Sequence, residues 1–332
     1  LNAGPNIPSQ LIDQHGRRKR KLRISLTDRC NFRCRYCMPD TPQWLPKSQV
    51  LTIEEIVRVA RLMIGEGIGH IRLTGGEPLL RRGLLDVVRA LDALRPLGLT
   101  RISMTSNASR LAPQAAALKA AGLDDLNISL DSVDPDTFRR MTGRELAPVV
   151  DGIDAARAAG LPVKLNSVLL RDDNGGQIVA LAEWARARGL PLRFIEYMPL
   201  DEPGRWQRAQ VVAEAEILAA LRGRFGVEPL PRSADPATRY RLDGDYEVGV
   251  ISTVSNPFCA SCDRLRLTAT GELYTCLFAT QGTPLRERLR AGDSDAQLLE
   301  RIRDAVWHKQ AGYAAQPRAP LERPITMHAM GG

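Results

Sequence analysis

Between residues 22 and 200 this 332-residue chain alternates, about six times, between a short apolar run and a segment of helical period. The runs are Leu22 to Leu26, His70 to Leu73, Thr100 to Thr105, Asp125 to Leu130, Val163 to Leu170 and Leu192 to Tyr197. Strand followed by helix, repeated, dictates a parallel sheet with right-handed crossovers. The sheet is either open and doubly wound or curled into a barrel, and both forms place ligands at the carboxyl ends of the strands. The clearest helix is Thr52 to Ile64, where Thr52 caps the first turn and Glu55 stands three residues on as its capping-box partner. Gly122, Gly160 and Gly189 follow three of the other helices where a C-terminal cap belongs.

After about Pro199 the rhythm changes. Arg239 to Arg241, Tyr246 to Ile251 and a hairpin across Thr270-Gly271 read as short antiparallel pieces, followed by a helix near Gln297 to Trp307. The expected organisation is therefore a basic arm over 1–21, a core over 22–200 and a smaller α+β domain over 201–332. No stretch is apolar enough to span a membrane, and Leu1 to Gln10 has no secretory pattern.

The chain has 46 Lys and Arg against 38 Asp and Glu, a net charge of +8. That excess calls for an anionic partner, and nucleic acid is one class. Aromatic residues make up only 5% and do not interleave with the basic ones, so a base-stacking platform is not indicated. A small polyanion such as a nucleoside triphosphate fits the excess equally well. The densest basic run, Arg17 to Lys21, reads as a solvated arm.

The six cysteines fall into two groups of three. Cys30, Cys34 and Cys37 form C-x3-C-x2-C directly after the first strand. Three thiolates so close repel one another unless a cation holds them. A structural zinc site wants four ligands, and none of the four histidines lies nearby. The spacing suits a cubane iron–sulfur cluster with one iron left open, against a zinc knuckle completed from afar or unmetallated thiols. Cys259 and Cys262 form C-x2-C, and thirteen residues separate Cys262 from Cys276. Here a zinc staple competes more strongly. Alternation places Arg264 and Arg266 on one face of a strand beside this group, a geometry suited to phosphate.

C-x3-C-x2-C with Tyr36 before its last cysteine, together with Gly75-Gly76-Glu77-Pro78 ending the second strand, resembles the signature of the radical S-adenosylmethionine enzymes. That resemblance implies a partial (β/α)6 TIM-like barrel with a smaller α+β C-terminal domain closing its mouth. The second cysteine group and the terminal Gly331-Gly332 narrow it to the GTP 3′,8-cyclase family of molybdenum cofactor biosynthesis, over about Leu11 to Gly332.

The family likeness implies two [4Fe–4S] clusters, one on Cys30, Cys34 and Cys37 and one on Cys259, Cys262 and Cys276. It assigns Tyr36, Gly76, Ser129 and Met198 to S-adenosylmethionine. It assigns Arg23, Arg72, Thr105, Lys164, Arg264, Leu265 and Arg266 to GTP, with Arg23, Arg264 and Arg266 closest to the chemistry, and it brings the glycine tail into the active site. The implied reaction is reductive cleavage of S-adenosylmethionine to a 5′-deoxyadenosyl radical, removal of H3′ from GTP and closure of the C3′–C8 bond. It further implies an external electron donor of the flavodoxin or ferredoxin kind, a downstream cyclic pyranopterin monophosphate synthase, a cytoplasmic location and a homodimer. A peptide-modifying radical enzyme and a zinc-stapled nucleic-acid-binding protein are the competing classes. One departure stands out. Where the family commonly has Thr-Thr-Asn-Gly, this chain has Thr105-Ser106-Asn107-Ala108, so that loop is expected to bend differently and to leave Thr105 least secure.

Overall fold

The computed structural model describes residues 10–200, 205–233, 235–313 and 326–331. Six parallel strands succeed one another across the core: β1 (Lys21–Ser25), β2 (His70–Thr74), β3 (Arg101–Ser106), β4 (Asp125–Ser129), β5 (Val163–Leu169) and β6 (Leu192–Glu196). Helices cross between them. In the first, Ile53–Gly65, the capping box forms as expected: the Glu55 amide donates to Thr52 Oγ1 (3.2 Å), and the Thr52 amide to Glu55 Oε2 (2.8 Å). Gly122, Gly160 and Gly189 all take positive φ behind their helices. A helix not anticipated, Pro135–Thr142, follows β4. Asp134 caps it by accepting from the Thr137 amide, and proline occupies its first turn. That Asp-Pro pair was its sequence signal.

The six parallel strands and the short antiparallel pieces are both present, and the structure adds how they join. Beyond residue 205 the chain forms β7 (Val227–Pro229), β8 (Thr238–Leu242), β9 (Tyr246–Ile251), β10 (Arg264–Leu267), β11 (Glu272–Tyr274) and β12 (Thr283–Pro284). All join the same sheet, in the order β12-β11-β10-β1-β2-β3-β4-β5-β6-β9-β8-β7. β9 pairs parallel to β6, and β10 pairs parallel to β1. The physical reason is edge protection. A bare β1 or β6 would expose unpaired backbone groups, and each is instead covered by one strand of an antiparallel hairpin. The β8–β9 hairpin turns at Asp243-Gly244, both at positive φ, as such a turn demands. The connection from β9 to β10 carries the chain from one side of the eight-stranded parallel array to the other, and it contains Cys259 and Cys262.

The outward faces pack on the helices through a continuous apolar core that includes Leu22, Ile24, Ile71, Leu73, Ile102, Met104, Leu126, Leu165 and Phe194. The inward faces do not read like those of a filled barrel, where branched apolar residues dominate. They carry Arg23, Arg72, Ser103, Thr105, Asn127, Ser129, Lys164, Asn166 and Arg193. A parallel array with a polar inner face encloses a ligand space. Among the described residues no helix is long and apolar enough to cross a membrane.

The reading of Arg17 to Lys21 as a solvated arm holds for Arg18 and Arg20, which are exposed, and is corrected for Arg17 and Lys19. Arg17 is 8% exposed and Lys19 is 2% exposed, and Lys21 opens β1. Arg17 and Lys19 both pair with the nearby Asp13, and their carbonyl partners lie more than 240 residues away in sequence.

Candidate active site

One cavity of about 550 Å³ lies inside the curled sheet, within the size range of small-molecule sites. It is lined by all six cysteines and by Arg23, Tyr36, Arg72, Gly76, Thr105, Ser129, Lys164, Met198, Arg264 and Arg266. The cysteines and the residues assigned to S-adenosylmethionine and GTP thus meet in one space, except Leu265. That side chain is fully buried in the apolar core on the opposite face of β10, because alternation turns it away from its two arginine neighbours.

The first cysteine group occupies the long connection after β1. The amides of Cys37 and Met38 both donate to the Cys34 carbonyl, closing a tight turn. Burial pushes the Cys30 thiol up to about 11. It raises Cys34 well above the ordinary range, helped by Asp131 and by Cys37 and Cys30 themselves. Thiolates here are therefore unfavourable without a cation among them. The second group is electrostatically different. Burial alone would raise Cys262, but Arg264 and Lys309 outweigh it and bring the thiol down to about 6. Lys309 Nζ donates to Cys262 Sγ at 3.3 Å.

No group of three or more His, Cys, Asp or Glu among the described residues is placed to hold a metal ion. A single zinc draws its ligands to about 2.3 Å from one point; a multi-atom cluster spreads its thiolates wider. At the first group, three cysteines, no histidine or carboxylate among the described residues completing the set and the like-charge penalty at Cys34 fit an iron–sulfur cluster with an open iron.

The Gly75-Gly76-Glu77 segment shows why its glycines are needed. The Gly76 amide donates to the Thr27 carbonyl (2.6 Å) and the Glu77 amide to the Arg29 carbonyl (2.7 Å). A Cβ on Gly76 would stand 2.4 Å from the Arg29 carbonyl oxygen and 2.5 Å from that of Asp28. The end of β2 therefore lies directly on the segment leading into Cys30. Glu77, fully buried, accepts from Ser106 Oγ, the Asn107 amide and the Leu79 amide. Burial lifts its carboxyl to about 7 against the pull of those three donors. Through this carboxylate the loop after β3 is tied to the same place.

That loop keeps a left-handed residue at its fourth position. Ala108 takes φ +59°, the left-handed conformation a glycine would hold. Its amide donates to Ser106 Oγ, its carbonyl accepts from the Leu111 amide, and Gly152 packs so closely that a Cβ there would lie 2.2 Å from the Ala108 oxygen. The surroundings over-determine the conformation, and Thr105 keeps its place on the cavity wall.

Tyr36 donates its hydroxyl to Asp131 (2.7 Å), whose other oxygen accepts from the Val168 amide. The cysteine loop is thereby fixed to the ends of β4 and β5. Asp131 is a residue sequence reading missed.

Across the cavity, strand register aligns cations: Arg266 stands opposite Arg23, and Arg23 opposite Arg72. Burial, then the repulsion of Arg266, Arg72 and Arg264, holds the Arg23 guanidinium well below its ordinary range. Burial also brings Arg72 down to about 10, while its Nε donates to Ser103 Oγ (3.0 Å). Lys164 is lowered as well, by burial and by Arg193. Arg193, on β6, pairs with Asp235 at 2.6 Å. Sequence reading missed both members of that pair. Arg193 carried the same signal as Lys164, a lone cation at an inward strand position; Asp235 carried none. Asn127 Nδ2 and Asn166 Oδ1 are buried with no hydrogen-bond partner, on two adjacent strands lining the cavity. Concentrated cations and buried amide atoms without partners suit a polyanionic ligand.

Arg266 also donates to the Gly331 carbonyl (2.8 Å). Gly331, at φ +80°, sits where a Cβ would meet Thr74 Oγ1 at 2.7 Å and Ser25 Cβ at 2.9 Å. The tail thus reaches the carboxyl ends of β1 and β2; Gly332 lies outside the described residues.

Residues 24–185 match the Radical SAM superfamily model, and residues 190–315 match the Molybdenum Cofactor Synthesis C model. The GTP 3′,8-cyclase of Mycobacterium sp. (strain KMS) is 46% identical over 337 residues, covering 99% of this chain and 96% of that protein. The GTP 3′,8-cyclase of Streptomyces coelicolor is 46% identical over 97% of this chain and 96% of its own length. Among solved structures, Streptococcus suis SuiB bound to its precursor peptide SuiA aligns with a TM-score of 0.61 at 12% identity, over 90% of this chain and 67% of that one. SuiB bound to S-adenosylmethionine aligns with a TM-score of 0.58, also at 12% identity, over 84% and 65%. At that identity the structural likeness speaks for the fold alone, a TIM-like radical SAM core. The near-full-length relatives narrow it: the chain belongs to the GTP 3′,8-cyclase family of the radical SAM superfamily, whose chemistry rests on an iron–sulfur cluster and S-adenosylmethionine.

Proposed function

We propose that this chain converts GTP to (8S)-3′,8-cyclo-7,8-dihydroguanosine 5′-triphosphate, the first step of molybdenum cofactor biosynthesis. The observation that carries the reading is the single cavity in which both cysteine groups face one set of inward cations. Cys30, Cys34 and Cys37 would hold one [4Fe–4S] cluster, and Cys259, Cys262 and Cys276 a second. When bound, the first cluster and S-adenosylmethionine supply the radical that removes hydrogen from the ribose C3′. The C3′ radical then attacks C8, and one electron and one proton complete the dihydro product.

The chain's own residues bind, orient and exclude water. Tyr36, Gly76, Ser129 and Met198 line the cavity and are assigned to S-adenosylmethionine. Arg23, Arg72, Lys164, Arg264 and Arg266 are assigned to GTP, with Thr105 on the same wall. For Leu265 only the backbone is available to a ligand, since its side chain is in the core. Buried guanidiniums facing one another are costly alone and favourable around a triphosphate. Because these cations point into the sheet, the basic excess at the site serves a small anion better than a nucleic acid.

The reading divides the work between residues 22–200, which carry the first cysteine group, and 201–332, which carry the second. It also carries an external electron donor of the flavodoxin or ferredoxin kind, a downstream cyclic pyranopterin monophosphate synthase, a cytoplasmic location and a homodimer. The test is anaerobic turnover with GTP, S-adenosylmethionine and a reductant. The Arg264→Ala/Arg266→Ala double variant is expected to lose cyclised nucleotide. Unchanged turnover in that variant would remove the substrate assignment, and 5′-deoxyadenosine formed only with a peptide would favour a peptide-modifying enzyme.

A further inference from the structure

We propose that Asp13, Arg17 and Lys19 are positioning residues that clamp the Cys259–Cys262 turn and thereby fix the second cysteine group for its cluster. The inference rests on the reading that this group holds an iron–sulfur centre.

The Asp13 carboxylate is fully buried and is the hub. It accepts from Arg17 Nε and from Lys19 Nζ, each at 2.7 Å, and from the amides of His15 and Arg17 at 3.0 Å. These bonds orient two cations whose remaining donors all face one way. Arg17 donates to the Cys259 carbonyl (3.0 Å) and to the carbonyls of Ala311 (2.6 Å) and Gln310 (2.7 Å). Lys19 donates to the Cys262 carbonyl (3.0 Å). One buried carboxylate therefore controls the backbone at both ends of the C-x2-C turn.

The segment pulled in by Arg17 bears on the sulfur itself. Gly312, at φ +132°, lies so close that a Cβ would stand 2.6 Å from Cys259 Cβ and 2.8 Å from its Sγ. A planar guanidinium has the fixed fork to hold three carbonyls at once; an ammonium does not. A surface staple would not need two cations buried on the backbone of two cysteines. The arrangement resembles the outer partners that orient ligands in metal centres, whose loss weakens the centre rather than the fold.

The experiment is anaerobic reconstitution of the full chain, with iron and sulfide analysis and electron paramagnetic resonance of the reduced protein. The wild type is expected to take about eight irons, four per cubane. Arg17→Gln is expected to take about four, to lose the second-cluster signal and to keep a first-cluster signal that still responds to S-adenosylmethionine. A merely structural role would lower the melting temperature and leave iron per soluble chain unchanged; eight irons with both signals intact in Arg17→Gln would overturn the proposal. Should Arg17→Gln yield no soluble protein, Arg17→Lys decides, since it keeps the charge beside Asp13 and loses the fork: selective loss of second-cluster iron supports the clamp, and full occupancy overturns it. A wild-type chain that takes only about four irons would sink the two-cluster reading itself, and the clamp's purpose with it.

Discussion

Replacing Arg72 with methionine should make the protein more stable without nucleotide and much poorer at binding it. Burial is the main reason this guanidinium falls, by about two to three pH units, to about 10. At about 1.36 kcal/mol per pH unit, that equals a folded-state cost of about 3 kcal/mol. At pH 7 the group is protonated in both folded and unfolded chains, so the cost is fully present; it fades only above about pH 10, where the folded form gives up its proton. Methionine removes the charge and the bond to Ser103, worth about 1 kcal/mol. Ser103 Oγ keeps its other contact, with His70 Nε2 at 2.7 Å. The net gain is about 2 kcal/mol, or about 3 °C in Tm for a chain of this length. The lost charge-assisted bonds to triphosphate, at about 1.5–3 kcal/mol, should weaken GTP about 10- to 150-fold. The assay is thermal unfolding of anaerobically reconstituted protein with and without GTP, alongside direct binding. A variant that is less stable without nucleotide yet binds GTP normally would refute the reasoning.

Two further substitutions test the geometry around the first cysteine group. Gly76→Ala drives a Cβ against two backbone carbonyls, and the 27–30 segment must retreat by close to 1 Å; a stability loss of about 1–3 kcal/mol is expected, with depleted iron at the first group only, read by iron analysis and paramagnetic resonance. Ala108→Gly relieves a left-handed alanine costing about 1–2 kcal/mol but loosens the unfolded chain by about 0.4–1 kcal/mol, so a gain of about 0.5–1 kcal/mol in urea unfolding should follow.

The parts of the site that could be read from the sequence are those whose signal is local. Lys164 between Val163 and Leu165, Arg264 and Arg266 two apart, and the spacing of each cysteine group state their geometry within a few residues, because strand alternation and tight turns are short-range rules. The parts that escaped depend on partners distant in sequence. Arg17 looked like a loop charge because the Cys259, Gln310 and Ala311 carbonyls that bury it are far along the chain. Asp235 sits in a loop with no periodicity and acquires meaning only against Arg193. β9 and β10 read correctly as members of hairpins, but local pattern does not say which bare edge a hairpin will cover. Ala108 is a related case: intrinsic preference disfavours its φ, and tertiary packing against Gly152 accompanies it there.

The central claim is that GTP lies in this cavity with its ribose presented to the radical generated beside Cys30, Cys34 and Cys37. GTP deuterated at C3′ of the ribose tests it most directly. Incubated anaerobically with the reconstituted chain, S-adenosylmethionine and reductant, it should yield 5′-deoxyadenosine carrying one deuterium, matched by cyclised nucleotide. Unlabelled 5′-deoxyadenosine, formed at the same rate with or without GTP, would contradict the account.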